Sequence, residues 1–282
     1  MEEVALSGAL QGALVKPDRA NGWGLVVLSG SSGRLETGRA RLFAERGVTA
    51  LAQRWWGGEG QSPGICEIPL ETFTPAVERL LAEGCRRIAF LGVSKGAEAT
   101  LLVASSDPRI DLAVAFSPSS VAWASTGPGF DGYAFFARSS WTRGGTALPF
   151  VAVDPRWRPA ETGRVRFRAL FEKSLATFAE DIPAATIPVE AARGRIMLVA
   201  GAGDVLWPSD TFAAQIARRL AAHGRRCDLV AHPSAGHRTI LPGEAEHPEP
   251  ADRAWGGSPA ADRELGAAAW TRLCELMELG LP

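Results

Sequence analysis

The sequence predicts an α/β protein in which a mostly parallel sheet of about eight strands, flanked by helices, is interrupted by one insertion. Three observations carry that expectation. Apolar runs such as Gly24-Leu25-Val26-Val27-Leu28 are continuous rather than alternating, the pattern of strands covered on both faces. Stretches of helical spacing alternate with them, which implies parallel neighbours joined by right-handed crossovers. The rhythm then breaks from Ser117 to about Glu190, and so long an interruption in a compact domain is expected to be a lid or cap. The chain, 1–282, is read as one domain carrying that cap at about 117–190.

Residues 3–8 and 10–16 read as two short strands around Gly8, an antiparallel hairpin at the sheet edge. The strand ending at Leu28 leads into the small-residue loop Ser29-Gly30-Ser31-Ser32-Gly33 and a helix from about Glu36 to Arg46. Thr49 to Gln53 is the next buried strand, followed by Arg54-Trp55-Trp56-Gly57-Gly58. Leu70 to Gly84 has helical spacing through Phe73, Val77, Leu80 and Leu81, with Gly84 as its stop. A strand at Ile88 to Leu91, a helix at Ala97 to Ala104 and a strand at Leu112 to Phe116 complete the first half. The insertion is rich in Gly, Pro, aromatic and Arg residues, with one amphipathic helix near Arg168 to Phe178. The pattern resumes with a strand at Arg195 to Ala200, a helix from about Ser209 to Ala222 and a strand at Cys227 to Ala231. A helix at Ala261 to Leu279 closes the chain.

A chain of 282 residues, 46% hydrophobic, can bury a full core, and a net charge of −1 with interspersed signs argues against nucleic acid or an anionic membrane as partner. The arginine-rich piece Arg156 to Arg168 is short and broken by Pro159, and reads as a solvated face. No apolar run approaches a membrane span, and Met1-Glu2-Glu3 lacks the basic start of a signal peptide. Cys66, Cys85, Cys227 and Cys274 are dispersed without a Cys-x-x-Cys pair, so reduced thiols in a cytoplasmic protein are expected. Nine tryptophans hint at a large apolar pocket, with Trp55, Trp56, Trp123 and Trp141 as its candidate lining.

The chemistry centres on Gly92-Val93-Ser94-Lys95-Gly96. A strand precedes it and a helix follows, the context that makes Gly-x-Ser-x-Gly a nucleophile elbow. The turn must be tight enough to exclude side chains at Gly92 and Gly96, which lifts the Ser94 hydroxyl above the carboxyl edge of the sheet. There the Lys95 amide, at a helix N-terminus, can receive an oxyanion. By itself the pattern is as often a plain Gly/Ser turn; the flanking strand and helix favour chemistry.

A serine hydroxyl needs a base, and the base an orienting carboxylate. In this topology they follow the nucleophile in the order acid, base, each after a strand. Gly201-Ala202-Gly203-Asp204 supplies Asp204, and Pro233-Ser234-Ala235-Gly236-His237 supplies His237. An aspartate after a strand is usually a cap, and a loop histidine usually structural; the ordered set is what argues for Ser94, Asp204 and His237 as a catalytic triad. His223 suits a helix C-terminal cap, His232 comes straight off a strand, and His247 lies in an acidic, proline-rich loop. The loop after the third strand suits the second oxyanion donor, from the amide of Ser31 or Ser32. Metal-ligand spacing and dinucleotide or phosphate-loop patterns are lacking, so no metal and no cofactor are expected.

With these residues in view, the chain resembles the C-terminal catalytic domain shared by acyl-CoA thioesterases and bile acid-CoA:amino acid N-acyltransferases, within the α/β-hydrolase superfamily. The pieces that carry the resemblance are Ile68 to Phe73, Gly92 to Glu98, Ile187 to Glu190, Gly201 to Trp207, His223-Gly224-Arg225, Ala235-Gly236-His237 and Trp255-Gly256-Gly257. They run in the family's order through nearly the whole chain. The resemblance implies an α/β-hydrolase fold, with Ser94 as nucleophile, Asp204 as acid and His237 as base. Relatives of this kind commonly carry an N-terminal β-sandwich domain, and only a short segment precedes the core here. The cap matches poorly, and the amino-acid-conjugating branch has cysteine where this chain has Ser94, which favours water as acceptor.

The expected activity is a serine hydrolase acting on an acyl thioester of coenzyme A or a carrier protein. Competing readings are a carboxylesterase or dienelactone-type hydrolase on the same triad, an acyltransferase passing the acyl group to an amine or alcohol, and a binding protein that kept only the scaffold.

Overall fold

The computed structural model describes residues 1–132, 137–160 and 162–279. An N-terminal hairpin, β1 (Glu2–Leu6) and β2 (Gln11–Lys16), forms one edge of an eight-stranded sheet. It continues through β4 (Thr49–Arg54), β3 (Trp23–Leu28), β6 (Arg87–Val93), β7 (Ile110–Phe116), β10 (Arg195–Gly201) and β11 (Asp228–His232), in that spatial order. β2 runs antiparallel to both β1 and β4; every other pairing in the sheet is parallel. Winding starts at β3, goes to β4 on one side and returns to β6 on the other. The β3/β6 boundary is therefore the topological switch, outside whose carboxyl ends ligands bind in such sheets.

The continuous apolar runs divide by alternation between two faces. Val26, Leu28, Leu51 and Phe90 face helices α2 (Thr74–Ala82), α3 (Lys95–Ala104) and α6 (Ser209–Ala222). Leu25, Val27, Leu91 and Val114 face α1 (Thr37–Ala44) and α7 (Pro259–Met277). Helix α7 shows how local sequence fixes an end: the Ser258 hydroxyl caps the Ala261 amide at 3.3 Å, and Pro259 sits in the first turn, where no amide hydrogen is needed.

The stretch between β7 and β10 lies over the carboxyl edge. It holds α4 (Arg168–Thr177), the short α5 (Ile182–Ala185), and β8 (Trp141–Arg143) and β9 (Thr146–Ala147). Together with β5 (Ile68–Pro69), β8 and β9 make a second, three-stranded sheet that the sequence reading does not contain. Strands of two or three residues carry no alternation to read, and β5 comes from outside the insertion. The stretch has small cores of its own, in which Val121, Trp123 and Val151 meet Trp207 and Phe212. No helix among the described residues is long and apolar enough to cross a membrane.

Candidate active site

Ser94 follows β6 at the switch and adopts φ 58°, ψ −120°, a left-handed conformation that costs a serine about 1–3 kcal/mol. Packing holds it there. A methyl group on Gly92 would stand 2.0 Å from the Gly96 carbonyl oxygen, and one on Gly96 would stand 2.4 Å from that of Ser29. The Ser94 amide donates to the Phe116 carbonyl of β7 at 2.9 Å, and its carbonyl accepts from Ala97 and Glu98 in the first turn of α3. As the first residue of α3, Lys95 has an amide that the helix leaves unpaired. The loop after β3 runs alongside, since a methyl on Gly30 would stand 3.1 Å from Ser94 Cβ.

Asp204 lies beyond the end of β10, almost wholly buried, with both carboxylate oxygens occupied. Oδ1 accepts from the amides of Leu206 (2.9 Å) and Trp207 (3.2 Å), and Oδ2 from the Ser209 hydroxyl at 2.6 Å. His237 Nδ1 lies 2.8 Å from that same Oδ2. The histidine backbone is fixed on both sides: its amide donates to Trp255, and its carbonyl accepts from the Ser117 hydroxyl at 2.8 Å. The Trp207 indole lies edge-on at 6.0 Å from the imidazole and donates its own hydrogen to the Ser117 carbonyl. The loops bearing Asp204 and His237 are stacked backbone on backbone through the Trp255-Gly256-Gly257 turn. A methyl on Gly236 would stand 2.1 Å from the Gly256 oxygen, and one on Gly256 2.1 Å from the Gly203 oxygen.

The structure thus brings Asp204 and His237 into contact, and Ser94 and His237 line one cavity of about 280 Å³. Among the described residues no hydrogen bond joins those two side chains. Ser31 and Ser32 also line this cavity, with Arg34, Arg238 and Arg253 on its polar side. A second cavity of about 190 Å³ shares Ser31, Ser94, Leu206 and Arg253 with the first and is walled by Trp123, Phe167, Leu170, Phe171 and Trp207.

Of the four tryptophans expected in a pocket, Trp123 lines the apolar cavity. Trp55, Trp56 and Trp141 line neither cavity at Ser94, which corrects the sequence reading. Trp55 and Trp141 stack in the core with centroids 5.4 Å apart, and Trp56 packs edge-on against Trp55. Trp55 and Trp141 are anchored by their nitrogens: Trp55 donates to the Ser29 carbonyl at 3.2 Å, and Trp141 to Glu98 at 2.5 Å. A second correction concerns Arg168. It leaves the solvated stretch to donate to the Asp204 carbonyl at 3.1 Å, with Asp210 and Glu172 as its salt-bridge partners.

Sequence reasoning did not single out Ser209, Ser117 or Glu98. The first two look like any serine at a helix start or strand end. Glu98 sits three residues after Lys95, which signals only a surface helix pair. Instead both are buried: the Glu98 carboxylate takes Lys95 Nζ at 2.8 and 2.9 Å and the Trp123 amide at 3.0 Å. Burial pushes the Lys95 ammonium below its ordinary range against the pull of Glu98.

Comparison with known proteins agrees with this architecture. A dienelactone hydrolase-like promiscuous phosphotriesterase from metagenomic libraries superposes with a TM-score of 0.56 at 15% identity, covering 99% of this chain and 98% of its own. Thermogutta terrifontis esterase 2 does so with a TM-score of 0.52 at 15% identity, over 97% and 91%. The fold is that of the α/β-hydrolases. Human acyl-coenzyme A thioesterase 1 is 27% identical over 287 aligned positions, 96% of this chain and 63% of the relative. Rat acyl-coenzyme A amino acid N-acyltransferase 2 is 27% identical over 279, 94% and 62%. The chain spans about three-fifths of the length of these relatives. The family described as BAAT / Acyl-CoA thioester hydrolase C terminal matches residues 68–279, and the chain belongs to it.

Proposed function

We propose that the protein hydrolyses acyl thioesters through an acyl-enzyme on Ser94. The observation that carries this reading is the meeting, at the topological switch, of a strained serine and a buried His237–Asp204 pair on one cavity. With its Nδ1 hydrogen given to Asp204, His237 presents Nε2 as the base. It takes the Ser94 proton while Oγ bonds the thioester carbon, and the amides of Lys95 and of Ser31 or Ser32 receive the oxyanion. The carbon–sulfur bond then breaks, and His237 returns the proton to the departing sulfur. Water repeats the two steps and restores Ser94. The match to thioesterases favours a coenzyme A thioester as substrate, and the insertion, which supplies Trp123, Phe167, Leu170 and Phe171 to the apolar cavity, would act as the cap that selects the acyl group.

Intact mass after incubation with a panel of acyl thioesters tests this. One acyl adduct on Ser94 is expected, and Ser94→Ala or His237→Ala should lose about 10⁴–10⁶-fold in turnover. Retention of most activity by Ser94→Ala on every cleaved substrate would end the mechanism. Matched oxygen esters separate a thioesterase from an esterase. The similarity to an N-acyltransferase supports a second reading, in which an amine replaces water; product masses with candidate amines decide it.

A further inference from the structure

Among the described residues four donors meet the Asp204 carboxylate: two backbone amides, the candidate base, and the Ser209 hydroxyl. Resting on the hydrolytic reading above, we propose that Ser209 is a positioning residue. Its hydroxyl, donated to the same carboxylate oxygen as His237 Nδ1, sets how firmly that histidine keeps its proton.

An ionised carboxylate offers about four lone-pair sites. The amides of Leu206 and Trp207 take those of Oδ1. Oδ2 is shared between Ser209 at 2.6 Å and Nδ1 at 2.8 Å, both in the short range of charge-assisted hydrogen bonds. A serine at a helix start commonly caps a backbone amide. Ser209 opens α6, yet no side chain caps that helix end, and the hydroxyl turns back to Asp204 instead. The residue is wholly buried, so bulk solvent does not replace the donor when it is removed. Each donor on Asp204 spreads its negative charge and weakens its hold on the imidazolium that forms at His237. Without Ser209, Oδ2 turns more of that charge on Nδ1. The protonated ring is then favoured, and the base form is reached only at higher pH.

The other charges that face the pair stay in place when the hydroxyl goes. Arg168 of α4 donates to the Asp204 carbonyl and is paired with Asp210 and Glu172. Asp262 of α7 accepts from the Gly236 amide at 2.7 Å. His232 on β11 lies 3.0 Å from Glu264, and Arg238, next to His237, donates to Glu244 at 3.1 Å. Arg34, Glu36 and Arg253 line the cavity that His237 enters, and Lys95 is paired with Glu98 on α3. A difference between the wild-type chain and a Ser209 variant therefore isolates the hydroxyl.

The rate at which a fluorophosphonate labels Ser94, followed by intact mass between about pH 5 and pH 9, reads the base without needing a thioester. Ser209→Ala should move the acidic limb of that profile up by about one pH unit. Labelling is then about tenfold slower on the limb and within about twofold of wild type on the alkaline plateau. Ser209→Cys, a weaker donor of similar shape, should move the limb the same way by less, and carries the comparison if the alanine chain does not fold. A loss equal at every pH, or a limb that stays in place, would overturn the inference and make Ser209 a packing residue. A moved limb with no thioester turned over would sink the proposed thioester hydrolysis and leave the role of Ser209 standing. A wild-type chain that the probe does not label would sink both.

Discussion

Two regions enclose Ser94, and they are held by different means. The loops bearing Asp204 and His237 touch backbone to backbone: Gly236 against Gly256, Gly256 against Gly203, the His237 amide on the Trp255 carbonyl. The insertion over them also pairs backbone to backbone, Ile65 with Thr126 and Val165 with Asp252, but one buried side chain gathers its ties to the helix below. The Glu98 carboxylate, reaching up from α3, accepts from the Trp123 amide and the Trp141 indole while also carrying Lys95. A backbone-built site tolerates almost no change of residue but moves little. A carboxylate-built one fails as a unit when that group is lost. The contrast predicts that damage to the loops of the proposed triad appears in turnover, and damage to the insertion's side-chain ties appears in stability.

Among substitutions that set the two regions apart, the largest effect should come from Asp204→Asn. Oδ1 accepts two backbone amides, so an asparagine is forced to place its carbonyl there and its amide nitrogen toward His237. The nitrogen donates to Nδ1 and drives the proton to Nε2, the atom that accepts from Ser94 in the proposed mechanism. A fall of about 10⁴ in kcat is expected, as for wrong-tautomer variants of other serine enzymes. The melting temperature should change little. Activity within tenfold of wild type would show that Asp204 does not set the tautomer.

Glu98→Ala reverses that split. It strands the buried Lys95 ammonium and leaves two cap donors without an acceptor, so about 3–5 kcal/mol of stability should go. Hydrogen exchange should locate the loss, with Trp123 and its neighbours opening first and β10 still protected. Uniform loss of protection across sheet and insertion would mean that Glu98 is part of the global core, and the two regions would not be separable.

The same difference explains what could be read from the residues. Strands such as β3 and β10 announce themselves because burial on both faces requires unbroken apolar runs. The positions of Ser94, Asp204 and His237 at strand ends are legible because tight backbone contact admits only glycine beside them. Helix α6, with Phe212, Ile216 and Leu220 on one face, is legible by its period. The tryptophans were not. An indole can wall a pocket or fill a core, and Trp123 differs from Trp141 only through partners far away in sequence. Arg34, Arg238 and Arg253 likewise converge from loops that no local pattern connects.

Glu244 offers the finest test, because it is a side-chain tie beside the candidate base, through Arg238. Burial by itself would raise its carboxyl pKa, but Arg39 first, then Arg238 and the Leu241 amide, hold it down at about 2, from an ordinary 4.5. A lowered carboxylate stabilises the fold fully above its unfolded value, and that contribution is lost as pH falls through the folded one. The window is therefore about pH 4.5 down to about 2, with on the order of 3 kcal/mol at stake. Urea unfolding of wild type and Glu244→Gln should differ most near neutral pH and converge as the pH drops through that window. A gap that stays constant with pH would assign the role of Glu244 to shape rather than charge. The arginine pair would then need no counter-charge from the protein, and the loops around His237 would rest on their backbone contacts throughout.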